Sequence, residues 1–199
     1  MRVAVPGPTL SGRVLRAVMV AAVLGLGPAA AQEGGLRRMD VRQTPEGYAA
    51  DAVLWVPVPR EKAFAVLIDF EHMADWVPNL QSSRVLTRAP GRATVEYEGA
   101  VRYGFLTIPF RTRRQIEFSS ATSIRTTQTQ GSMKRHESRM DFAVEGTGTR
   151  IDYHVEMDPN ALAALVMSER RVASELSEHV KAIAAEILRR NAPAPPASP

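Results

Sequence analysis

Residues 150–190 read RIDYHVEMDPNALAALVMSERRVASELSEHVKAIAAEILRR, and two kinds of periodicity meet within them. From Arg150 to Met157 apolar and polar residues alternate, which is typical of a strand with one buried and one solvated face. After the corner at 158–160, apolar residues recur at helical spacing until about Arg190. The stretch therefore predicts a strand followed by a long amphipathic helix, of about 28 residues, that covers a sheet.

The chain before this stretch predicts the rest of the sheet. Alternating segments separated by turn residues indicate strands near 48–58, 81–88, 93–103, 107–118, 123–130, 133–145 and 149–157. Pro90 and Gly91 occupy the two central positions of a type II turn. Pro59 opens one short helix, and a second helical piece spans about 72–76. The predicted architecture is α+β: a curved antiparallel sheet of about seven strands wrapped on a long C-terminal helix, with two short helices after the first strand.

Residues 1–31 have the three parts of a secretory signal peptide. A segment with three arginines and no acid is followed by an apolar run over 17–26 and by Ala29–Ala31. The run is shorter than the roughly 20 residues that a membrane-spanning helix needs. We expect Sec-type export with cleavage near Ala31, giving a periplasmic or secreted mature protein. Retention of the segment as an uncleaved anchor is the alternative.

Composition and charge exclude several classes of protein. The 199 residues are 45% hydrophobic and 23% charged, which suits a globular domain rather than a disordered chain. The chain contains no cysteine, which excludes disulfides and thiolate metal sites. The net charge of +4 falls to +1 when residues 1–31, with three arginines and no acids, are removed. We therefore expect no nucleic-acid partner. No feature of the sequence sets an oligomeric state.

The mature chain divides into one domain with two flanking segments. Residues 32–44 are polar and contain glycine, which predicts a loose lead-in segment. Residues 45–190 carry the strand and helix patterns and form the predicted domain. The last nine residues, 191–199, read NAPAPPASP and predict a disordered Pro/Ala-rich tail, because they have no apolar surface to bury.

Two stretches of this domain resemble the START-like (SRPBCC) superfamily, whose members share the helix-grip fold. Residues 56–86, VPVPREKAFAVLIDFEHMADWVPNLQSSRVL, are similar to that family's opening. Residues 130–159, QGSMKRHESRMDFAVEGTGTRIDYHVEMDP, resemble its last hairpin. Among its branches, the chain looks most like the bacterial polyketide cyclase/dehydrase and coenzyme Q-binding START-like group. The resemblance implies a cavity between sheet and C-terminal helix that takes a lipid, sterol, quinone or polyketide-like molecule.

The candidate ligand-binding residues are those that alternation turns inward, together with two loop residues and the start of the long helix. They are Trp76, Tyr97, Tyr103, Phe105, Phe110, Arg114, Phe142, Tyr153, Met157, Leu165 and Val166. Trp76 and Phe105 fall in loops, where they would close one mouth of the cavity. Taken singly, each of these positions is better explained by plain core packing than by ligand contact, so the prediction is that the set includes several residues of the cavity wall.

Arg114 is the polar residue in this set that needs an explanation. It shares strand parity with Phe110, which aims its guanidinium at the apolar side of the sheet. A buried arginine needs a partner. A ligand's polar head, an inward acid near Glu96, or a bulge that turns Arg114 outward would each resolve this, and a bulge is the commonest answer. A basic cluster is expected on the outer face as a solvated, salt-bridged surface with interleaved acids: Arg111, Arg113 and Arg114, with Lys134 and Arg135, among Glu117, Glu137 and Asp152.

The histidines indicate no catalytic or metal site. His154 is expected on the solvated face and His179 at the edge of the helix stripe. His72 and Asp75 lack a third metal ligand at suitable spacing. His136 has inward parity, but its place near a strand end favours a frayed, solvated position. No phosphate loop, nucleophile elbow or zinc motif occurs, so no catalytic residue, metal or cofactor is expected.

The function predicted from the sequence is the binding or carriage of a hydrophobic small molecule of the lipid, sterol or quinone class by an exported protein. Transient contact with a membrane surface is expected to accompany the exchange of such a ligand. One alternative is an aromatase/cyclase-type enzyme that uses the same cavity for proton transfer. Another is a protein-interaction module whose core is filled by side chains.

Overall fold

One antiparallel sheet dominates the computed structural model, which describes residues 34–103, 105–165 and 167–193. Its eight strands within these residues are β1 (Gly35–Gln43), β2 (Tyr48–Val56), β3 (Leu80–Ala89), β4 (Arg92–Tyr103), β5 (Leu106–Ser119), β6 (Ser123–Gln130), β7 (Met133–Glu145) and β8 (Gly148–Pro159). The order across the sheet is β1-β2-β8-β7-β6-β5-β4-β3. The predicted signal peptide and the tail beyond residue 193 lie outside the described residues.

Helices enter the fold at two places. After β2 come α1 (Arg60–Leu67) and a 3₁₀ turn (Phe70–Asp75), and after β8 come α2 (Ala161–Ala164) and α3 (Glu169–Arg190). The carbonyl of Pro59 accepts the N–H of Ala63, so the proline caps α1 as its sequence position indicated. None of the helices in the described part of the chain is long and apolar enough to cross a membrane.

The alternation predicted for the last hairpin is present in the structure. Ile151, Tyr153 and Val155 of β8 are buried, while the residues between them are partly exposed. Across the ladder, Ile151 is paired with Phe142 and Tyr153 with Met140, which places the apolar side chains of β7 and β8 on one face. Gly91 has a φ of 70°, as the predicted turn before β4 requires.

The core lies between this face of the sheet and the helices. Its largest fully buried side chains are Leu54, Val56, Phe70, Val95, Ile151, Val155, Val180, Ile183 and Ile187. The three residues from α3 belong to the apolar stripe that the helical periodicity predicted. The backbone of α3 approaches β1, β2 and α1 most closely. The predicted α+β helix-grip architecture is therefore confirmed, with eight strands rather than about seven.

The lead-in predicted over 32–44 is in fact largely strand β1. Its apolar residues Leu36 and Met39 are three apart, so they break the two-residue period by which a strand is detected. The structure resolves this conflict with a register shift between Leu36 and Arg38 in the pairing with β2. Leu36, Met39 and Val41 consequently all pack against the core.

The C-terminal helix is shorter than predicted. Helix α2 ends at Ala164, and Ser168 precedes α3 in an extended conformation, with φ −145° and ψ 157°. This break separates Leu165 from the buried stripe of α3, because it falls between the two helices. Leu165 is 82% exposed. Apolar spacing alone does not show such a break, since residues on both sides keep a helical period.

Candidate functional site

The sheet and α3 border two adjoining cavities, each partly open to solvent. The first, of about 240 Å³, lies among the end of α1, the 3₁₀ turn, the middle of β4–β8 and the middle of α3. The second, of about 340 Å³, lies among β4, β5, the start of β7, α2 and the first turns of α3. Four residues line both cavities: Phe110, Arg114, His136 and Leu176. We call the place where these four meet the junction.

The cavities exist because α3 packs closely on only part of the sheet. Its backbone approaches β1, β2 and α1 most closely. The residues that line the cavities come instead mainly from β4–β8. The curved sheet thus leaves a space of the size and apolar character in which proteins commonly bind small molecules.

The structure distributes the predicted site residues unequally. Trp76, Tyr97 and Tyr153 line the first cavity, Met157 lines the second, and Phe110 and Arg114 line both. Phe142 is buried in the core, where its ring packs edge-on against Phe64 with centroids 5.4 Å apart, and it is not among the residues that line either cavity. Phe105 and Leu165 are exposed. The Tyr103 side chain and Val166 lie outside the described residues.

Arg114 points into the fold although the predicted bulge exists. The pairing of β5 with β6 shifts register between Arg113 and Arg114, yet Arg114 keeps its inward direction and lines both cavities. Its guanidinium carbon lies 5.5 Å from the centroid of the Tyr97 ring, a cation–π contact. Its Nε is buried with no hydrogen-bond partner in the described residues. Burial lowers the pKa of Arg114, and Tyr97 and Tyr153 oppose this shift.

The acid near Arg114 in sequence does not face it. Glu96 lies on the other side of the sheet, where Arg84, Arg111 and Arg113 donate hydrogen bonds to its carboxylate. These arginines hold the pKa of Glu96 down to about 2. Among the described residues no carboxylate forms an ion pair with Arg114. The inward-acid explanation of Arg114 is therefore wrong.

Two histidines, His136 and His179, line the first cavity together with Arg114, although the sequence predicted other positions for both. His136 lines both cavities with its Nδ1 buried and unpartnered in the described residues, so the expectation of a frayed, solvated position is wrong. His179 lines the first cavity and its ring lies 6.3 Å from that of Tyr153, so the expected peripheral position is also wrong. Desolvation, with a smaller contribution from Arg114, lowers the pKa of His136 well below its usual value and that of His179 to about 4.

Signals for both histidines are present in the sequence. His136 keeps the parity of Ser138 and Met140, which also line the first cavity. His179 lies three residues after Leu176 and four before Ile183, which is the spacing of the buried face of α3. By its spacing, His179 belongs to the apolar stripe of α3. It was predicted at the edge of the stripe because histidine is polar.

The two tyrosines of the first cavity are held neutral. Burial raises the pKa of Tyr97 to about 12, and the Tyr97 hydroxyl donates to the sulfur of Met73 at 3.4 Å. Burial also raises the pKa of Tyr153, which shares a hydrogen bond with Ser138. The Nε1 of Trp76 is buried without a partner in the described residues. At neutral pH the first cavity therefore contains one cation, Arg114, among neutral donors and apolar surface.

The second cavity has fewer aromatic residues in its wall, since of the five aromatic residues that line the first cavity Phe110 is shared with it. Ile108, Met157, Met167 and Val172 contribute to its wall. Charged residues also occur there, since Arg171 and Glu175 both line it. The Glu175 carboxylate accepts a hydrogen bond from Asn79 at 2.9 Å, and burial raises its pKa. The described residues contain no cluster of three or more His, Cys, Asp or Glu side chains suited to a metal ion.

A grip-like sheet around a helix, with a cavity between them, defines the class of START-like ligand-binding domains. The chain belongs to the family described as polyketide cyclase / dehydrase and lipid transport, whose model matches residues 56–182. No curated protein matches it in sequence.

Solved structures with the same fold are distant in sequence. A START superfamily protein from Mycobacterium smegmatis is 17% identical, with a TM-score of 0.59 over 72% of this chain and 97% of that one. A STAR-related lipid transfer protein fragment from Xanthomonas axonopodis is 11% identical, with a TM-score of 0.59 over 77% and 98% of the two chains. The di-domain aromatase/cyclase BexL from the BE-7585A biosynthetic pathway is 16% identical, with a TM-score of 0.59 over 79% and 51%.

Proposed function

We propose that this protein binds and carries a hydrophobic small molecule of the lipid, sterol or quinone class in the two cavities, without covalent chemistry. The observation that carries the proposal is that the four junction residues line both cavities. One molecule can therefore extend past the junction from one cavity into the other. Their sizes, about 240 and 340 Å³, suit a ligand with a substantial apolar body. The unfilled space disfavours the alternative of an interaction module with a closed core.

Export is part of this proposal. The three-part pattern of residues 1–31 supports cleavage near Ala31 and a periplasmic or secreted carrier. An exported carrier would meet its ligand at a membrane surface, where apolar molecules are dissolved.

An aromatase/cyclase-type enzyme is the second candidate, favoured by the grouping of Arg114, His136 and Tyr153 around the same space. A neutral histidine and a neutral tyrosine are both able to move protons, and the cation would stabilise an enolate oxygen. Binding remains the favoured function, because burial lowers the pKa of both His136 and His179, which makes each of them a weak general base.

The test is native mass spectrometry of protein purified from its native host, followed by organic extraction of bound material. We expect a stoichiometric apolar compound, recovered unchanged after incubation with fresh protein. The same measurement gives the mass of the chain, and a mature protein that begins after Ala31 is expected. A compound converted to a new product would favour the enzyme instead.

Two matched variants show whether the compound occupies the cavities. Leu176→Trp introduces an indole at the junction, and Lys181→Trp introduces the same group at an exposed position of α3. We expect the first variant to lose the compound and the second to keep it. Equal retention by both variants, or an empty wild-type protein that takes up no apolar probe, would contradict the proposed function.

A further inference from the structure

Arg114 is a half-buried charge that no acidic side chain among the described residues neutralises. Its Nε is buried and without a partner in the described residues, and its guanidinium makes a cation–π contact with the face of Tyr97. A cation–π contact returns only part of the free energy that a guanidinium loses when it leaves water. The protein therefore carries an uncompensated cost at the junction, which a negatively charged group placed there would remove.

The polar atoms around the junction specify what kind of group this is. The guanidinium of Arg114 presents only donors, in a planar fork that matches a carboxylate. The unpartnered Nδ1 of His136 is the second free polar atom at the junction. One fixed positive charge balances one negative charge, which a carboxylate supplies and a phosphate monoester exceeds.

The position of Arg114 also indicates where the rest of the ligand lies. The first cavity has Tyr97, Tyr153 and His179 in its wall beside aliphatic residues. The second has none of these three, and Ile108, Met167 and Val172 line it together with the charged Arg171 and Glu175. An aliphatic body loses the least free energy when it is placed against aliphatic walls. The second cavity is also the larger of the two, at about 340 Å³.

We propose that the ligand is an amphiphilic monocarboxylate, with its carboxylate on Arg114 at the junction and its aliphatic body in the second cavity. This inference rests on the proposed function and narrows its ligand class. His136 completes the head-group site by donating from Nδ1 to the second carboxylate oxygen. The carboxylate thus occupies the position that an acidic side chain would take in an ordinary buried ion pair.

The test compares ligands that share one tail. Dodecanoate, its methyl ester, dodecanol and dodecyl phosphate are titrated at pH 8 into the ligand-free mature protein, each competing with a neutral fluorescent naphthylamine probe. Wild-type protein should bind dodecanoate about tenfold more tightly than the ester or the alcohol, since hydrogen bonds to charged groups exceed neutral ones. Arg114→Met should abolish this preference, while Arg114→Lys should retain part of it. The neutral probe should bind all three proteins.

Arg113→Met is the matched control, because it removes the same charge from the adjacent residue on the outer face. We expect this variant to keep the preference for dodecanoate. A preference lost in Arg113→Met but kept in Arg114→Met would overturn the inference, as would equal binding of ester and acid by wild-type protein or tighter binding of dodecyl phosphate. Arg114→Gln, which keeps polar donors without the charge, repeats the test if Arg114→Met does not fold.

Two further variants test where the body lies. Ala163→Phe narrows the second cavity and Thr126→Phe narrows the first. We expect Ala163→Phe to weaken dodecanoate binding by about tenfold or more, and Thr126→Phe to weaken it less, because the head group lies at the junction and the body in the second cavity. The reverse order would overturn the placement of the body. Failure of wild-type protein to bind any probe, charged or neutral, would overturn the proposed function itself, whereas binding of the neutral probe without a carboxylate preference would overturn this inference alone.

Discussion

Arg113 and Arg114 are adjacent in β5 and have opposite electrostatic surroundings. On the outer face, Arg113 joins Arg84 and Arg111 around the carboxylate of Glu96, which is only 5% exposed beneath them. On the inner face, Arg114 meets aromatic rings, histidines and the two cavities. Within the described residues, the outer charges are neutralised by Glu96 and the inner charge has no acidic partner. The difference indicates that the outer cluster is structural, whereas Arg114 is available to a partner from outside the described residues, as we propose.

The largest effect is expected from removing the inner charge. Arg114→Met should raise the free energy of unfolding of the ligand-free protein by about 2–3 kcal/mol, because an apolar side chain of similar length replaces an uncompensated charge. Urea unfolding at neutral pH measures this change. Arg113→Met serves as the control and should not stabilise the protein. A loss of stability in Arg114→Met would mean that Arg114 already has a sufficient partner and that the two faces do not differ in this way.

Acid should affect the two faces in separate pH ranges. The pKa of His179 is about 4 in the fold against an ordinary 6.5, so between these values the unfolded chain binds more protons than the folded one. Stability should therefore fall as the pH drops from 6.5 towards 4, with His136 contributing in the same direction. Full conversion of the His179 shift gives about 3 kcal/mol, and its partial exposure reduces the expected loss to about 1–2 kcal/mol.

Urea unfolding at pH 7 and pH 5 of the wild type and His179→Gln tests this range, and the variant should lose less stability on acidification. Glu96 behaves differently, because its pKa is lowered from 4.5 to about 2. Its contribution is complete above pH 4.5 and disappears as the pH falls towards 2. A wild-type protein equally stable at pH 7 and pH 5 would contradict the burial of neutral histidines.

A smaller effect is expected on the outer face. Glu96→Gln leaves Arg84, Arg111 and Arg113 without their shared carboxylate, so the melting temperature should fall, by less than Arg114→Met raises it. Glu117→Gln, which removes the partner of Arg92 alone, is the matched control and should cost less. In 1 M salt the effect of Glu96→Gln should shrink, because the arginine side chains around Glu96 are exposed and salt screens their charges. The effect of Arg114→Met should persist. Salt-insensitive destabilisation by Glu96→Gln would show that the cluster acts through packing.

Most of the fold follows from patterns that depend on one strand or one helix at a time. Alternation identified β8, the turn residues Pro90 and Gly91 marked a hairpin, and the stripe of α3 predicted the buried Val180 and Ile187. The failures occurred where regularity is interrupted. The shifted register in β1 concealed a strand, and the extended Ser168 divided a helical pattern into two pieces. Such breaks depend on contacts with residues that are distant in the sequence. The spacing of apolar residues along one segment carries no information about those contacts.

The candidate site was predictable in part for the same reason. Parity placed Tyr97, Arg114 and Tyr153 on the inner face, and all three line a cavity. Parity did not distinguish cavity wall from solid core, so Phe142 belongs to the packed core instead. The positions predicted for His136 and His179 were wrong because a polar side chain was assumed to avoid the inner face. A cavity lets a polar side chain occupy an inward position without being packed in the apolar core.

The order of the strands has a consequence for how the chain folds. Among the described strands, β2 and β8 are the neighbours in the sheet that are not consecutive in the chain, and their pairing joins residues separated by roughly a hundred positions, such as Ala52 and Tyr153. The strands from β3 to β8 can form hairpin by hairpin through local contacts, whereas the β1–β2 pair joins the sheet only after the last strand exists. Both cavities are also lined by α3, which follows the last strand. A nascent chain therefore has no complete cavity until nearly all of the described residues have been made.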